Sequence, residues 1–278
     1  MTLRPLWIRF RRNRGALLGA AVVVVFSVLG LVAPWVAPYD PLTQNLAQGL
    51  QPPSFAHPLG TDEVGRDILS RVIVGSRISL AIAFASVGLA LVVGGSLGLL
   101  AGFCGGRVDS VVSRLLDVWL ALPGLLLAIV IIAILGVGID NVIISIALGG
   151  VPPYARVARG STLSVKESGF VEAARSLGAP DLAIILRHIV PNILAFLLVQ
   201  ATLGIATALL TASGLSFLGL GAQPPTPEWG AMLADGRPYL ISNPQVSVFP
   251  GFTIMLVALG FNLFGDGLLE TVTPRKAR

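Results

Sequence analysis

The chain has 278 residues, of which 54% are hydrophobic and only 12% are charged, whereas soluble domains carry about 25% charged residues. This composition excludes an ordinary soluble domain and predicts a membrane protein, because uncharged apolar runs of about 20 residues recur along the chain. The net charge of +5 does not indicate nucleic-acid binding, since the Lys and Arg residues stand between the apolar runs rather than on one soluble face.

The N-terminal segment combines basic residues with an apolar run, an order that a secretory signal peptide shares. The run from residue 15 to 36 is longer than the apolar core of a usual signal peptide, which has about 7–15 residues. Pro34 and Pro38 stand where a cleavage site of small residues would be needed. We therefore predict a retained membrane anchor that follows Arg4, Arg9, Arg11, Arg12 and Arg14.

Six membrane-spanning helices are predicted, at residues 16–37, 78–102, 119–137, 139–159, 193–220 and 246–265. The fourth runs into Pro152-Pro153, so it must be kinked or continue past the prolines. With six spans, 15 of the 19 Lys and Arg residues lie on the side of the N-terminus, and without the fourth span only 8 do. Since positive charge is retained inside, the sequence predicts an all-α polytopic bundle of about six helices with both termini in the cytoplasm.

The predicted outer loop after the first span alternates glycines with Asp and Arg residues over positions 59–80. Such pairs form charge-assisted hydrogen bonds, which predict an ordered loop rather than a flexible linker. Two interpretations remain open at this stage. The loop is either a docking surface for another protein, or its charges only stabilise the loop itself.

The second predicted span carries a row of glycines, Gly94, Gly98 and Gly102, with Gly106 just beyond it. A spacing of four residues places them on one helix face, where another helix backbone can approach closely. The sequence predicts helix packing at Gly94, Gly98 and Gly102. It leaves open whether the second helix belongs to a partner subunit or to the same chain.

The chain lacks the residues of several kinds of active site. A P-loop needs a lysine after a glycine, yet neither Lys166 nor Lys276 follows one. His57 and His188 are predicted on opposite sides of the membrane, and Cys104 is the single cysteine, so no catalytic residue, metal site or cofactor is predicted. The predicted spans also hold no charged residue at mid-depth, which disfavours an ion-coupled carrier. These absences disfavour a channel, a carrier and a membrane-embedded enzyme. They favour a pore-forming chain that is driven by another protein.

A helix, a turn and a second helix are predicted between the fourth and fifth spans. Glu172, Ala173 and Ala174 lie on the first helix, Gly178 is suited to a left-handed end, and Pro191 precedes the next span. The two alanines remove side-chain bulk, so that the groove of another protein can close on the helix. The alternative is an interfacial helix that rests on lipid headgroups.

The pattern Glu172-Ala173-Ala174-x3-Gly178 resembles the EAA loop of the membrane subunits of binding-protein-dependent ABC importers. The general pattern of that family continues to I-x-L-P. Pro191 matches it, whereas His188 and Val190 depart from it. The run Arg-His-x-x-Pro-Asn over residues 187–192 is instead similar to the peptide-importer branch.

Three further segments, at residues 10–14, 59–80 and 215–230, resemble the C-type subunit of the dipeptide, oligopeptide and nickel permeases. The resemblance implies a type I ABC importer permease in a bacterial or archaeal cytoplasmic membrane. It implies a homologous B-type permease, two ATPase subunits that carry ATP and Mg²⁺, and an extracytoplasmic solute-binding protein as partners, besides the lipid bilayer. The implied solutes are di- and oligopeptides, nickel chelates or glutathione.

The predicted spans, together with the resemblance at the loop, divide the chain into two parts. Residues 1–77 comprise the basic segment, the first span and the outer loop. Residues 78–278 comprise a five-helix permease core, with an ATPase-coupling loop at about 160–192 that contains Glu172, Ala173, Ala174, Gly178 and Pro191.

Overall fold

The computed structural model describes residues 10–11 and 13–272, and within them the chain is built of helices joined by turns, which confirms the all-α fold class. Arg4, Arg9, Arg12 and the basic C-terminal residues lie outside the described residues. The main helices are α1 (Arg14–Val36), α2 (Ile68–Cys104), α3 (Gly106–Leu120), α4 (Gly124–Leu135), α5 (Ile139–Lys166), α6 (Gly169–Ser176), α7 (Asp181–Phe217), α8 (Trp229–Asp235) and α9 (Gln245–Val272).

Helix α2 is the centre of the bundle and contacts α1, α5 and α7. It begins ten residues before the predicted second span, because the Asp67 carboxylate accepts a hydrogen bond from the Ser70 amide at 2.7 Å and caps the helix. Its 37 residues extend about 55 Å at 1.5 Å per residue, well beyond the roughly 30 Å of a hydrocarbon core. The domain boundary predicted at residue 77 falls inside this helix and stays a prediction.

The third predicted span, residues 119–137, is wrong as a single straight helix. The chain breaks at residues 121–123, and α3 and α4 are bent by 86° relative to one another. Pro123 has no amide hydrogen, so it cannot continue the hydrogen bonding of α3. Helix α4 has only 12 residues, about 18 Å, which is too short to cross a bilayer alone.

Helix α5, which carries the fourth predicted span, continues through Pro152 and Pro153 as one helix of 28 residues. It lies between α2, α4 and α7, and much of it is buried inside the chain. The helix is therefore not broken at the prolines and continues past them.

Four helices of the described residues are long and apolar enough to cross a membrane, namely α1, α2, α7 and α9, and the bent pair α3 and α4 is a fifth candidate. The prediction of about six spans is therefore roughly met, with α5 as the less apolar sixth helix of the bundle. The N-terminal end of α2, where the segments 37–67 and 218–244 gather, is called the loop end below. The C-terminal end of α2, next to α6, is called the hairpin end.

Candidate coupling segment and translocation cavity

Helix α6 and the first turns of α7 form a helical hairpin at the hairpin end. Gly178 stands between them with φ of +79°. The Gly178 amide donates to the Arg175 carbonyl at 3.0 Å, and the Ala179 amide donates to the Ala174 carbonyl at 3.1 Å. This pair of hydrogen bonds is typical of a helix that ends at a residue with left-handed backbone conformation, here Gly178 at the end of α6. The backbone at Gly178 thus has the conformation that the sequence predicts, and a side chain at this position would be strained.

One face of the hairpin is fixed to the bundle, and the other is exposed. Val171 is buried and packs in one apolar cluster with Ile184 and Phe103. Ala174 is half-buried against the same cluster. Glu172, Ala173, Arg175 and Leu177 are exposed. A second protein that docks on the hairpin would therefore meet Ala173 and Glu172 first, while Ala174 faces the chain's own core.

Pro191 lies inside α7 and not directly before a new span. The five residues Ile185–Ile189, which lie just before it in the chain, form a π-helical turn, and the Val190 amide donates to the Ile185 carbonyl. Proline has no amide hydrogen to donate to an earlier carbonyl, and a widened turn is one way in which a helix accommodates the missing bond. As a result, the second arm of the hairpin and the long apolar part of α7 form one helix from Asp181 to Phe217.

The glycine row faces α5 of the same chain. A Cβ atom added at Gly94 would lie 2.4 Å from the Val151 carbonyl oxygen, and one added at Gly98 would lie 2.1 Å from the Ala155 carbonyl oxygen. A Cβ atom at Gly102 would lie 2.8 Å from the Thr162 Cβ. The two backbones thus approach so closely that no side chain fits between them. The sequence left open whether the second helix belongs to a partner subunit or to the same chain. In the structure, the helix that packs on the glycine row is α5 of the same chain.

A cavity of about 340 Å³ lies between α2, α4, α5 and α7. Its open side is bordered by exposed residues of α4 and α7, among them Leu125 and Thr207. The cavity lies near the middle of α2, α5 and α7. Its lining has no Asp, Glu, Lys or Arg, and its polar side chains are Ser86, Ser145, Tyr154, Gln200, Thr207 and Thr211.

At the loop end, a fully buried carboxylate ties the segment after α7 to α2. Glu228 accepts a hydrogen bond from the Ser79 hydroxyl at 3.0 Å and one from the Ala231 amide at 2.9 Å, which caps α8. Trp229 is fully buried beside it, and its indole nitrogen donates to the Val72 carbonyl at 2.9 Å. These bonds fix the segment over the end of the bundle.

Glu228→Ala is expected to destabilise the folded chain by about 1–3 kcal/mol, because it leaves the buried Ser79 hydroxyl and the Ala231 amide without an acceptor. Thermal unfolding of the purified protein in detergent measures the effect. The matched control is Glu167→Ala, which removes an exposed carboxylate. Equal stability of the two variants would show that the buried hydrogen bonds are dispensable.

The segment before α2 is ordered by a buried group of charges. Arg66 contacts Asp62 through its Nε at 2.5 Å and Glu63 at 3.2 Å, and the Arg71 Nε lies 3.6 Å from Asp62. Burial raises the pKa of the Glu63 carboxyl and that of Asp235 above their ordinary values. The positive charges of Arg66 and Arg71 offset the free-energy cost of burying the charged carboxylates. The contacts within the loop account for its charges, and docking of another protein on it stays a prediction.

The histidines lie at opposite ends of the molecule. His57 Nδ1 is 2.9 Å from Asp67 Oδ1 at the loop end, whereas His188 packs beside Phe170 at the hairpin end. Among residues 10–11 and 13–272, no group of three or more His, Cys, Asp and Glu residues is placed to hold a metal ion. That the chain binds no metal and no cofactor stays a prediction.

Comparison with known families decides what the chain is. The family described as "Binding-protein-dependent transport system inner membrane component" matches residues 94–278, which include the hairpin and most of the cavity lining. The chain belongs to this family. Residues 3–53 match a second family, described as "N-terminal TM domain of oligopeptide transport permease C". The chain is therefore a multi-pass permease subunit of a binding-protein-dependent ABC importer, of the C type. This family is a membrane permease component and not an ATPase.

Two relatives match this permease along nearly its whole length. It is 44% identical to the dipeptide transport system permease protein DppC of Alkalihalophilus pseudofirmus over 272 residues, which cover 98% of this chain and 90% of the relative. It is 47% identical to the glutathione transport system permease protein GsiD of Escherichia coli over 273 residues, or 97% and 89% of the two chains.

The fold also matches a solved structure. A chain of the MetNI methionine ABC transporter, in an inward-facing conformation, aligns with a TM-score of 0.61 at 20% identity and covers 74% of this permease and 98% of that chain. At this identity the match shows the fold alone. It confirms the predicted resemblance to a type I ABC importer permease.

Sequence reasoning missed two parts of the site. Gln200 is a polar residue within the fifth predicted span, but its convergence with Tyr154 and Thr207 on one cavity was not predicted. Glu228 was also missed. The available signal was its position between Pro227 and a tryptophan, close to an apolar span. A Glu that is buried there needs a hydrogen-bond partner, since Glu is rarely buried without one.

Proposed function

We propose that this permease forms, with a homologous B-type permease, the membrane path for di- or oligopeptides or for glutathione. The observation that carries the substrate class is the 44–47% identity, over nearly the whole chain, to permeases named for dipeptides and for glutathione. The cavity supports it, since its volume of about 340 Å³ lies within the range of small-molecule sites, about 300–1,000 Å³.

Energy for uptake comes from two separate ATPase subunits that dock on the hairpin. The exposed face with Glu172 and Ala173 supports docking. The buried face packs in the cluster around Val171 and Phe103, and through this cluster a movement of the hairpin would reach α2 and α5. A helix that merely rested on lipid headgroups would not need an alanine at the exposed position 173. An extracytoplasmic binding protein delivers the solute at the loop end.

The proposed orientation places the hairpin end and both termini in the cytoplasm of a bacterial or archaeal cell. It rests on the division of Lys and Arg residues between the two sides. An alkaline phosphatase fused after Arg278 is therefore expected to be inactive, because this enzyme folds only outside the cytoplasm. An active fusion would remove the proposed orientation and the cytoplasmic position of the hairpin with it.

Uptake of labelled glutathione and of a labelled dipeptide pool into vesicles tests the substrate class. The vesicles contain the assembled importer, with its binding protein outside and ATP inside. We expect ATP-dependent accumulation of one of the two probes. If the complex hydrolyses ATP in response to its binding protein but accumulates neither probe, the proposed substrate class is wrong.

A further inference from the structure

The cavity contains a buried hydroxyl that no residue of the chain satisfies. Tyr154 is only 3% exposed, and among the described residues its hydroxyl has no hydrogen-bond partner. The ring reaches from α5 to α7, where a Cβ atom added at Gly204 would lie 2.1 Å from the hydroxyl oxygen. Glycine at position 204 is thus what leaves room for this hydroxyl at the cavity wall.

An unpaired buried hydroxyl lowers the stability of the folded chain, and phenylalanine would fill the same space without that cost. The folded subunit alone therefore gives no reason for a tyrosine at this position. The hydroxyl is accounted for if it meets a partner that is not part of the chain and that arrives when α5 and α7 move relative to one another.

The other polar groups of the cavity fall into two kinds. Four hydroxyls donate back to carbonyls one turn earlier in their own helices, so each can only accept a hydrogen bond from a solute. They are those of Ser86, Ser145, Thr207 and Thr211. The Gln200 side chain, in contrast, makes no hydrogen bond to the described residues and has both an acceptor and two donors. Together with Tyr154, it presents uncharged groups that match the amide groups of a peptide.

We infer that the cavity is the place where the permease holds the solute during passage, with Gln200 and Tyr154 forming hydrogen bonds to its amide groups. This inference rests on the proposed function and adds the contact site within it. The lining that this chain contributes has no charged side chain, so it forms no ion pair with the charged ends of a short peptide. Binding is then weak, which a transport path needs so that the solute can leave.

Tyr154→Phe is the first test, made in the assembled importer with saturating binding protein. The maximal uptake rate of the accumulated probe, either glutathione or the dipeptide pool, is expected to fall about five-fold, the equivalent of one net hydrogen bond. Thermal stability of the complex should stay equal or rise. If Tyr154 has only a structural role, the uptake rate of Tyr154→Phe should be unchanged or the thermal stability of the complex should fall.

Occupancy is tested by thiol labelling in a Cys104→Ser background. Thr207→Cys places a thiol on the open side of the cavity, and Ser110→Cys places one on the exposed part of α3 as the matched control. During uptake, the probe is expected to protect the thiol at position 207 from a small polar reagent and to leave the one at 110 unprotected.

The outcomes separate this inference from the proposed function. If wild-type importer accumulates a probe, but Tyr154→Phe transports it normally and the thiol at 207 is not protected, the contact site is wrong and the proposed function stands. If the wild-type importer accumulates neither probe, the substrate class fails and the contact site fails with it.

Discussion

Gly98→Leu is expected to abolish the folded permease, because the α2 and α5 backbones would have to separate. A Cβ atom alone at this position would lie 2.1 Å from the Ala155 carbonyl oxygen and 2.8 Å from the Ala158 Cβ. Overfilling a packed core with extra methylenes costs about 1–3 kcal/mol, and a collision with backbone exceeds that, since no rotamer relieves it. The amount of protein that is monodisperse in detergent measures the effect.

The same helix provides a matched control. Gly88 lies on an exposed part of the α2 surface, and a Cβ atom added there would meet no atom within 4 Å. Gly88→Leu should therefore fold normally, and its higher helix propensity favours α2 by about 1 kcal/mol. Normal folding of Gly98→Leu would contradict the close α2–α5 packing described above.

Ala173→Trp is expected to stop uptake while the permease remains folded in the membrane. Ala173 is exposed on the outer face of the hairpin, so a tryptophan there overfills the groove of a docked ATPase without touching the core. Uptake should fall about tenfold or more, because the loss of even about 1.4 kcal/mol of docking energy weakens an association about tenfold. Uptake and the amount of ATPase that copurifies with the permease are the measurements.

Ala173→Ser is the size control and should transport normally. The alternative that the hairpin rests on lipid headgroups predicts a different result, since tryptophan is favoured at a membrane interface. Normal transport by Ala173→Trp would support that alternative. Ala174→Trp is a less specific test, because Ala174 packs on the apolar cluster of the chain itself and the larger side chain would also disturb folding.

The sequence predicted the end of α6 correctly, because a local signal marks it. Gly178 ends α6 as expected, since glycine alone enters the left-handed region without strain. The start of α2 at Ile68 was predicted ten residues late, because apolar runs report the membrane and not the helix. The cap at Asp67 and the buried Arg71 extend α2 into the loop end.

The bend between α3 and α4 shows the opposite limit. Hydropathy favoured one span across residues 119–137, and Pro123 gave the only local sign of a break. The direction of α4 after that break depends on its packing against α5, which hydropathy does not report. In the same way, the glycine row predicted a close helix contact, but only the fold places Ala155 opposite Gly98.

The candidate site was predictable at the hairpin and hidden at the cavity. Glu172, Ala173, Ala174 and Gly178 are contiguous, so their pattern is visible in the sequence. The cavity brings together Ser86, Tyr154 and Gln200 from three helices that are far apart along the chain. No spacing rule connects such residues, because their distance depends on how α2, α5 and α7 pack.

Crosslinking from position 173 tests the central claim most directly, namely that the hairpin couples this permease to an ATPase. The assembled importer would carry Ala173→Cys in a Cys104→Ser background, with Phe55→Cys at the loop end as the control, since Phe55 is fully exposed there. We predict that a short thiol-to-amine reagent joins position 173, and not position 55, to the ATPase subunit. Crosslinking of position 173 only to lipid-soluble reagents, with none to the ATPase, would contradict the account.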